Sequence, residues 1–421
     1  MTVSLRPGPV SGCITAPPSK SMAHRAVLAA TLAEGTSRIR NVQLSQDVQA
    51  TLAAARAMGA GCTVEGDCVT ITGHGLPALP AGPVDCGESG STLRFLIPVL
   101  SLAGGRVRLT GHGRLPQRPQ TVYEDIFKEQ GLYFAQDDGG LVIEGRLSPG
   151  AYTVPGDVSS QFISGLLFAL PLLAEPSTLR VLPPFESRPY VDMTLSALRD
   201  CGVRVQWDAA DPELLHIPAP QRYAGRDCAI EGDYSQAAFF AVLGALAGGV
   251  CIRGLRRDSL QGDAAILDIL RRCGAAFCWE QDVLCFEKRG LHAAEIDLAP
   301  CPDLGPVLMA LAMFCRGTTV IRNAGRLRLK ESDRIAAMQQ ELAKFGAQVE
   351  ADGGTVRITG CTPHAPGPLC GHNDHRVVMS LAVAAAAGGW PVTIEGAGVV
   401  RKSWPEFFEV LETVGTEAED L

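Results

Sequence analysis

The chain has 421 residues, enough for two domains or one very large one, and its 46% hydrophobic and 19% charged residues are the make-up of a well-packed globular protein. A net charge of −8 excludes a general attraction to nucleic acid or to an anionic membrane, so any basic cluster has to be local. No apolar run approaches the ~20 residues that span a bilayer, and the opening MTVSLRPGPV lacks a signal-peptide core, so a cytoplasmic protein is expected.

The first predicted helix follows APPSKSMAHRAVLAA. Pro17, Pro18 and Ser19 stop the preceding segment and cap the next one. Its first turns nevertheless carry Lys20 and Arg25, with no acidic residue in the same stretch. A cation at a helix N-terminus is unfavourable by about 0.3–1 kcal/mol. An anionic ligand seated there would reverse that sign, because free N–H groups and the helix dipole also favour it. The plain alternative is two solvated surface cations.

CGESGSTLRF comes next, with Gly87, Gly90, Ser91 and Thr92 before an apolar helix, a Gly/Ser turn able to present backbone N–H groups to phosphate. It is not GxxxxGKS, so an ATP-type phosphate loop is unsupported. RLPQRPQT adds Arg118. GDVSSQF places Ser159, Ser160 and Gln161 at a third helix start; one serine is a cap, and two hydroxyls with an amide suit ligand binding. EGDYSQAAF opens a fourth apolar helix. CPDLGP opens a fifth, and its Asp303 reads either as a cap or as a base. LRLKESDRIAAM offers Lys330, Glu331 and Arg334, the two cations four apart on one predicted helical face; a salt-bridged surface helix is the competing reading. GHNDHRVVM brings His372, Asn373, Asp374, His375 and Arg376 to a sixth start, and VVRKSWPEFF adds Lys402. The two histidines have no third ligand at a recognisable spacing, so no metal is expected.

A repeat underlies this order. Gly59, Gly131, Gly202, Gly274, Gly346 and Gly415 each end a helical pattern, roughly 70 residues apart. Each suits a left-handed helix C-terminus, and the first five precede paired alternating strands, as in GAQVEADGGTVRITG. The second helix of each unit is small and apolar all round and is therefore expected to be buried. Six units of two strands and two helices are too many for one core, which argues for three plus three. The boundary is placed at residues 228–233, and the strand before Pro17 is assigned to the second half. A continuous solenoid is the alternative, although no capping repeat closes either end. The 14 cysteines include no CxxC pair and mostly sit beside apolar residues or glycine, so they are read as reduced core thiols.

Taken together, SKSMAHRA, GESGSTLR, QRP, DVSSQF, SRPYVD, LQGD, PD, LKESDR, NDHR and RKSWPEFF resemble, in order, the 5-enolpyruvylshikimate-3-phosphate synthase family of enolpyruvyl transferases. The resemblance covers nearly the whole chain. It implies an α/β fold of two similar domains, each of three repeats about a pseudo-threefold axis, an inside-out α/β barrel. The domains are expected at 20–229 and at 1–19 with 230–421, with the active site in the cleft between them. It implies transfer of the enolpyruvyl group of phosphoenolpyruvate to the 5-hydroxyl of shikimate 3-phosphate, by addition and elimination of phosphate, in aromatic amino acid biosynthesis. No cofactor or metal is implied, and a monomer is expected.

By motif, shikimate 3-phosphate is expected to meet Lys20, Ser21, Arg25, Ser159, Ser160, Gln161, Ser187, Asp303 and Lys330. Phosphoenolpyruvate is expected to meet Lys20, Gly90, Arg118, Gln161, Arg334, Arg376 and Lys402. Two phosphates and two carboxylates total about −5 to −6, which seven cations (Lys20, Arg25, Arg118, Lys330, Arg334, Arg376 and Lys402) offset; arginine forks suit both groups. Proton transfer at the methylene and at the attacking hydroxyl is assigned to Asp303, Glu331 and Lys330, with Lys20 and His375 assisting. Glu88 stands where many members have Asn, and Arg326 where some have Asn. The sister enzyme acting on a UDP-sugar is disfavoured: its loop cysteine is missing between Cys86 and Cys201, and Ser21 follows Lys20 where that enzyme has Asn. A non-catalytic phospho-ligand binder is disfavoured by Asp303, Glu331 and Lys330 together.

Overall fold

The computed structural model describes residues 1–421. The chain divides into two compact units, one of Met1–Pro17 with Glu231–Leu421 and one of Pro18–Ile230.

Each unit holds three small sheets, and all six share one topology. A short strand runs parallel to a second, which pairs antiparallel with a third, which pairs antiparallel with a fourth. In the 18–230 unit, 151–155 lies parallel to 177–182, followed by 214–217 and 206–207; 84–85, 106–110, 140–144 and 133–137 repeat the order. The third sheet starts with 223–224 and 228–229 beside 33–40, and continues with 68–74 and 61–65. The other unit repeats the pattern with 295–297, 318–322, 355–359 and 348–352. In its last sheet the N-terminal strand Thr2–Pro7 takes the third position, between 392–395 and 416–420. In its remaining sheet Gly12–Thr15 is the parallel leader of Val250–Arg253.

The helices inside each repeat are Lys20–Thr31, Gly90–Ser101, Ser160–Ala169, Tyr234–Ala247, Gly305–Ala312 and His375–Gly388. They are the six small, apolar segments, and they fill the cores. Small residues let them approach closely: a Cβ on Gly165 would lie 2.5 Å from the Arg94 carbonyl of the Gly90 helix. The six repeat glycines all have positive φ, between 68° and 103°, where glycine stops a helix without Cβ strain. One aromatic cluster positions a candidate site segment. Phe240, Trp404 and Phe407 meet edge to face, with Phe240–Trp404 at 5.3 Å, and fix the segment carrying Lys402 against the Tyr234 helix.

One expectation is overturned in this fold. The 14 cysteines are not all reduced, since Cys251 and Cys285 form a disulfide. They stand directly opposite in the antiparallel pair of 250–253 and 283–287, Cα to Cα 4.2 Å, where two thiols meet by register alone.

Candidate active site

In the 18–230 unit the polar residues gather at the N-termini of the buried helices. Ser19 is extended and makes no side-chain cap, so the Lys20 helix begins with an open first turn. Lys20 is not without an acid, as its neighbouring sequence suggested: Nζ lies 2.6 Å from Asp47, at the first turn of the next helix. Arg25 is buried and has no carboxylate among its bonds. It donates to Thr194 Oγ1 (2.8 Å), to the Ser21 carbonyl (2.7 Å) and to the Tyr190 carbonyl (2.8 Å), and it covers the Phe95 ring. Burial draws its pKa down to about 10. His24 sits on the same helix with Nδ1 2.6 Å from Thr51 Oγ1, the start of a hydroxyl chain through Thr92 to Ser89. Burial, then Lys20 and Arg25, hold its pKa well below 6.5, so the imidazole is neutral.

Gly90 opens the second buried helix, with Ser89 as its cap. A Cβ there would lie 2.8 Å from Arg118 Nη1, so the absent side chain is what admits the guanidinium to the turn. Arg118 is 9% exposed and its Nε has no partner. Ser159 caps the third helix by accepting from the Gln161 N–H, and Ser160 is buried behind it. The Gln161 amide is oriented from both ends: Arg94 Nη1 donates to Oε1 at 2.9 Å, and Nε2 donates to Ser91 Oγ at 2.9 Å. Arg94, absent from the motif-derived set, also takes Gln120 Oε1 and the Pro119 carbonyl and lies 4.6 Å over Phe162. A buried arginine one helical turn into an otherwise apolar helix was the signal for it. Ser187 is buried at φ 55°, at the turn into the helix Arg188–Asp200.

The other unit is built on charge pairs. Asp303 makes no helix cap; it lies in a 3₁₀ turn and gives its carboxylate to three cations. Lys330 Nζ is at 3.2 Å, Arg334 Nη1 at 3.3 Å and Arg376 Nη2 at 3.1 Å. Burial alone would raise its pKa, but Arg376, Lys330 and Arg334 together hold it well below the usual carboxylate range. Lys330 and Arg334 do not share a helical face: Lys330 is extended, and the helix starts at Arg334 behind its cap Asp333. They meet at Asp303 because the loop folds back.

Arg334 is 1% exposed. It also donates to Glu331 Oε2 at 2.7 Å and, from Nε, to Asp374 Oδ2 at 2.8 Å. Burial works against its charge, yet Asp374, Glu331 and Asp303 lift its pKa above the ordinary value. Asp374 caps the His375 helix and accepts from Ser332 Oγ, Arg334 and the Arg376 N–H. Burial raises its pKa, and Arg334 more than offsets this. Arg376 further holds Ser235 Oγ and the Asp303 carbonyl. Lys402 is nearly buried, with Nζ 3.1 Å from the Asn373 carbonyl. His375 is buried on the helix's first turn. His372 turns away to Glu341 Oε1 at 2.9 Å, so the histidine pair does not converge on a metal. Glu341, missed in the sequence, is fully buried and also accepts from the Cys370 N–H, tying down the His372–Asn373 turn, both residues of which have positive φ. Arg326 donates to the Ala299 carbonyl.

Residues 5–411 match the family described as EPSP synthase (3-phosphoshikimate 1-carboxyvinyltransferase). The 3-phosphoshikimate 1-carboxyvinyltransferase of Clostridium kluyveri is 42% identical over 420 residues, 99% of this chain and 98% of that protein. The protein of the same name from Clostridioides difficile is 38% identical over 427 residues, covering 98% and 97%. Among solved structures, an EPSP synthase from Acinetobacter baumannii superposes with a TM-score of 0.83 over the full length of both chains, at 27% identity. The enolpyruvyl transferase NikO from Streptomyces tendae shares the fold, with a TM-score of 0.80 at 21% identity over 99% and 98%.

Proposed function

The chain belongs to the EPSP synthase (3-phosphoshikimate 1-carboxyvinyltransferase) family, and we propose that the residues gathered in its two units carry that family's reaction here. The enzyme transfers the enolpyruvyl group of phosphoenolpyruvate to shikimate 3-phosphate and releases phosphate, a step of aromatic biosynthesis.

The phosphate of shikimate 3-phosphate is assigned to Lys20, Ser21, Arg25, Ser159, Ser160 and Gln161, with Ser187, Asp303 and Lys330 toward the ring. Phosphoenolpyruvate is assigned to Lys20, Gly90, Arg118, Gln161, Arg334, Arg376 and Lys402. Support comes from the arginines: Arg25 is held by neutral oxygens only, and Arg118 keeps a buried, unpartnered Nε. No carboxylate among the bonds of Arg25 cancels its charge, and the Arg118 Nε–H is left for an anion.

The observation that carries the mechanism is Asp303 among Lys330, Arg334 and Arg376. So surrounded, it is an ionised but weak base. Anionic substrate groups compete for the same three cations, and each one drawn away raises the basicity of Asp303 by removing a stabilising charge. Asp303 then accepts the proton of the attacking hydroxyl only when both substrates are in place. Lys330 and Glu331, with Lys20 and His375 assisting, deliver and recover the methylene proton. The hydroxyl adds to the carbon beside that methylene, and phosphate leaves as the proton departs. No step calls on a metal or an organic cofactor. The chain is read as a cytoplasmic monomer, which fractionation and sedimentation test. Phosphate release from the two substrates together, and from neither alone, tests the reaction; Asp303→Asn tests the assignment.

A further inference from the structure

Four cysteines, one from each strand, form one row across a sheet. The sheet is ordered 276–280, 283–287, 250–253, 12–15. Its register places Cys278 opposite Cys285, Cys285 opposite Cys251, and Cys251 beside Cys13. Directly paired residues project to the same face of a sheet. Here it is the outer face, since the alternating positions Ile14, Ile252 and Leu284 are buried in the core. Cys13 and Cys278 are exposed, and Cys251 and Cys285 are half-buried between them. Antiparallel partners have Cα atoms about 4.5–5.5 Å apart, and adjacent strands, the parallel Cys13–Cys251 pair included, lie about 4.7–4.9 Å apart; both spacings fall inside the ~4.4–6.8 Å range that disulfides span. Each neighbouring pair in the row can therefore be bridged with little backbone movement, and the central pair already is.

From this register we infer that Cys278, Cys285, Cys251 and Cys13 form a thiol–disulfide exchange site that reacts with small-molecule disulfides and thiols. The row supplies the alignment that exchange requires, because an attacking thiolate approaches one sulfur as the electron pair leaves on the other. The Cys278 thiolate, having given its proton to solvent, attacks Cys285 Sγ. The Cys278–Cys285 bond forms, the Cys251–Cys285 bond breaks, and Cys251 leaves as a thiolate that is protonated from solvent. Cys13 and Cys251 are then adjacent thiols. A low-molecular-weight disulfide oxidises them: Cys13 forms a mixed disulfide and releases one small thiol, and Cys251 displaces the second to give Cys13–Cys251. Two protein thiols are oxidised and one small disulfide is reduced to two thiols. The remaining cysteines of this unit offer no such row; Cys273, Cys301 and Cys315, for example, are buried.

The test equilibrates the full-length chain with mixtures of oxidised and reduced glutathione, blocks free thiols, and maps cross-linked peptides under non-reducing conditions. Under a mildly reducing poise the wild type is expected to carry one row disulfide, distributed over Cys251–Cys285, Cys278–Cys285 and Cys13–Cys251. Under an oxidising poise it carries two, Cys278–Cys285 and Cys13–Cys251. The Cys13→Ser/Cys278→Ser double variant stops at one, Cys251–Cys285, and keeps its circular dichroism and its turnover. A wild type that holds only Cys251–Cys285 at every poise overturns the exchange. So does one that forms no disulfide in the row, or one whose row cysteines bridge only to cysteines elsewhere.

Discussion

The two units handle positive charge in opposite ways. At the candidate site of the 18–230 unit, Arg25 is held by two carbonyls and a hydroxyl, and Arg94 donates to two side-chain amides and a carbonyl; Lys20 meets the carboxylate of Asp47. In the other unit, Arg334 and Arg376 are tied into Asp303, Glu331 and Asp374. Neutral oxygens orient a guanidinium without cancelling its charge, which suits a fixed receptor for a dianion. Carboxylates cancel it, so an anion entering that cluster has to displace one of them. The displaced carboxylate becomes a stronger base at the moment the substrate arrives. On the proposed assignment, the 18–230 unit mainly binds, and the other unit links binding to the basicity of Asp303.

The largest test is Asp303→Asn. It should lower kcat by about 10²–10⁴, the usual worth of a general base, while phosphoenolpyruvate binding measured by fluorescence is kept or tightened. Lost binding with unchanged kcat would reduce Asp303 to a counter-ion and erase the contrast. Lys20→Met should cost roughly 1.5–3 kcal/mol of transition-state stabilisation, a charge-assisted bond, read as about 10–100-fold in kcat/KM of a folded protein. Because Asp47 is left without its partner, Lys20→Met/Asp47→Asn should recover stability in a thermal melt but not turnover. Recovery of both would show that the pair is structural.

Gly90→Ala comes next. Its Cβ would press on the far end of Arg118, a flexible neighbour, so overpacking of about 1 kcal/mol is expected. The KM for phosphoenolpyruvate should rise more than that for shikimate 3-phosphate; equal rises would detach Arg118 from one substrate.

The smallest effect is in the acid dependence of stability, and it separates the units by pH window. His24 is neutral when folded and protonates near pH 6.5 when unfolded. Protons therefore bind preferentially to the unfolded chain, and stability falls as pH drops below about 6.5. Asp303 and Asp374 have depressed folded pKa values. Their stabilisation is full above the unfolded value of about 3.9 and drains away as pH falls through the folded ones. Denaturation of His24→Gln against wild type should show a shallower loss between about pH 6.5 and 5. Hydrogen exchange should show the Asp303 unit loosening only below about pH 4. Identical pH slopes for the two proteins would mean that His24 is not held neutral.

What was legible from sequence is what short-range physics controls. Six glycines ended six helices because a left-handed C-terminus needs no distant partner. Six uniformly apolar segments became buried helices because a helix without a polar face has nowhere else to go. The polar helix starts were likewise visible as motifs, and Ser159 caps as its position implied. Partnerships were decided elsewhere. Lys20 finds Asp47 27 residues away, Arg334 finds Asp374 40 away, and Arg376 finds Asp303 73 away. Asp303, read as a cap or a base, is no cap and is the hub of three cations, and Lys330 left the helical face that its spacing suggested. Arg94 lay inside the GESGSTLR motif without a role until amides were seen to hold it, and Glu341, held by a histidine and a backbone N–H, carried no motif at all. Cys251 and Cys285 were two scattered thiols until strand register set them opposite each other. Local periodicity and capping depend on residues within a turn or two, so the sequence alone determined them. Charge neutralisation and thiol pairing depend on which strand lies beside which, and only the tertiary structure decides that.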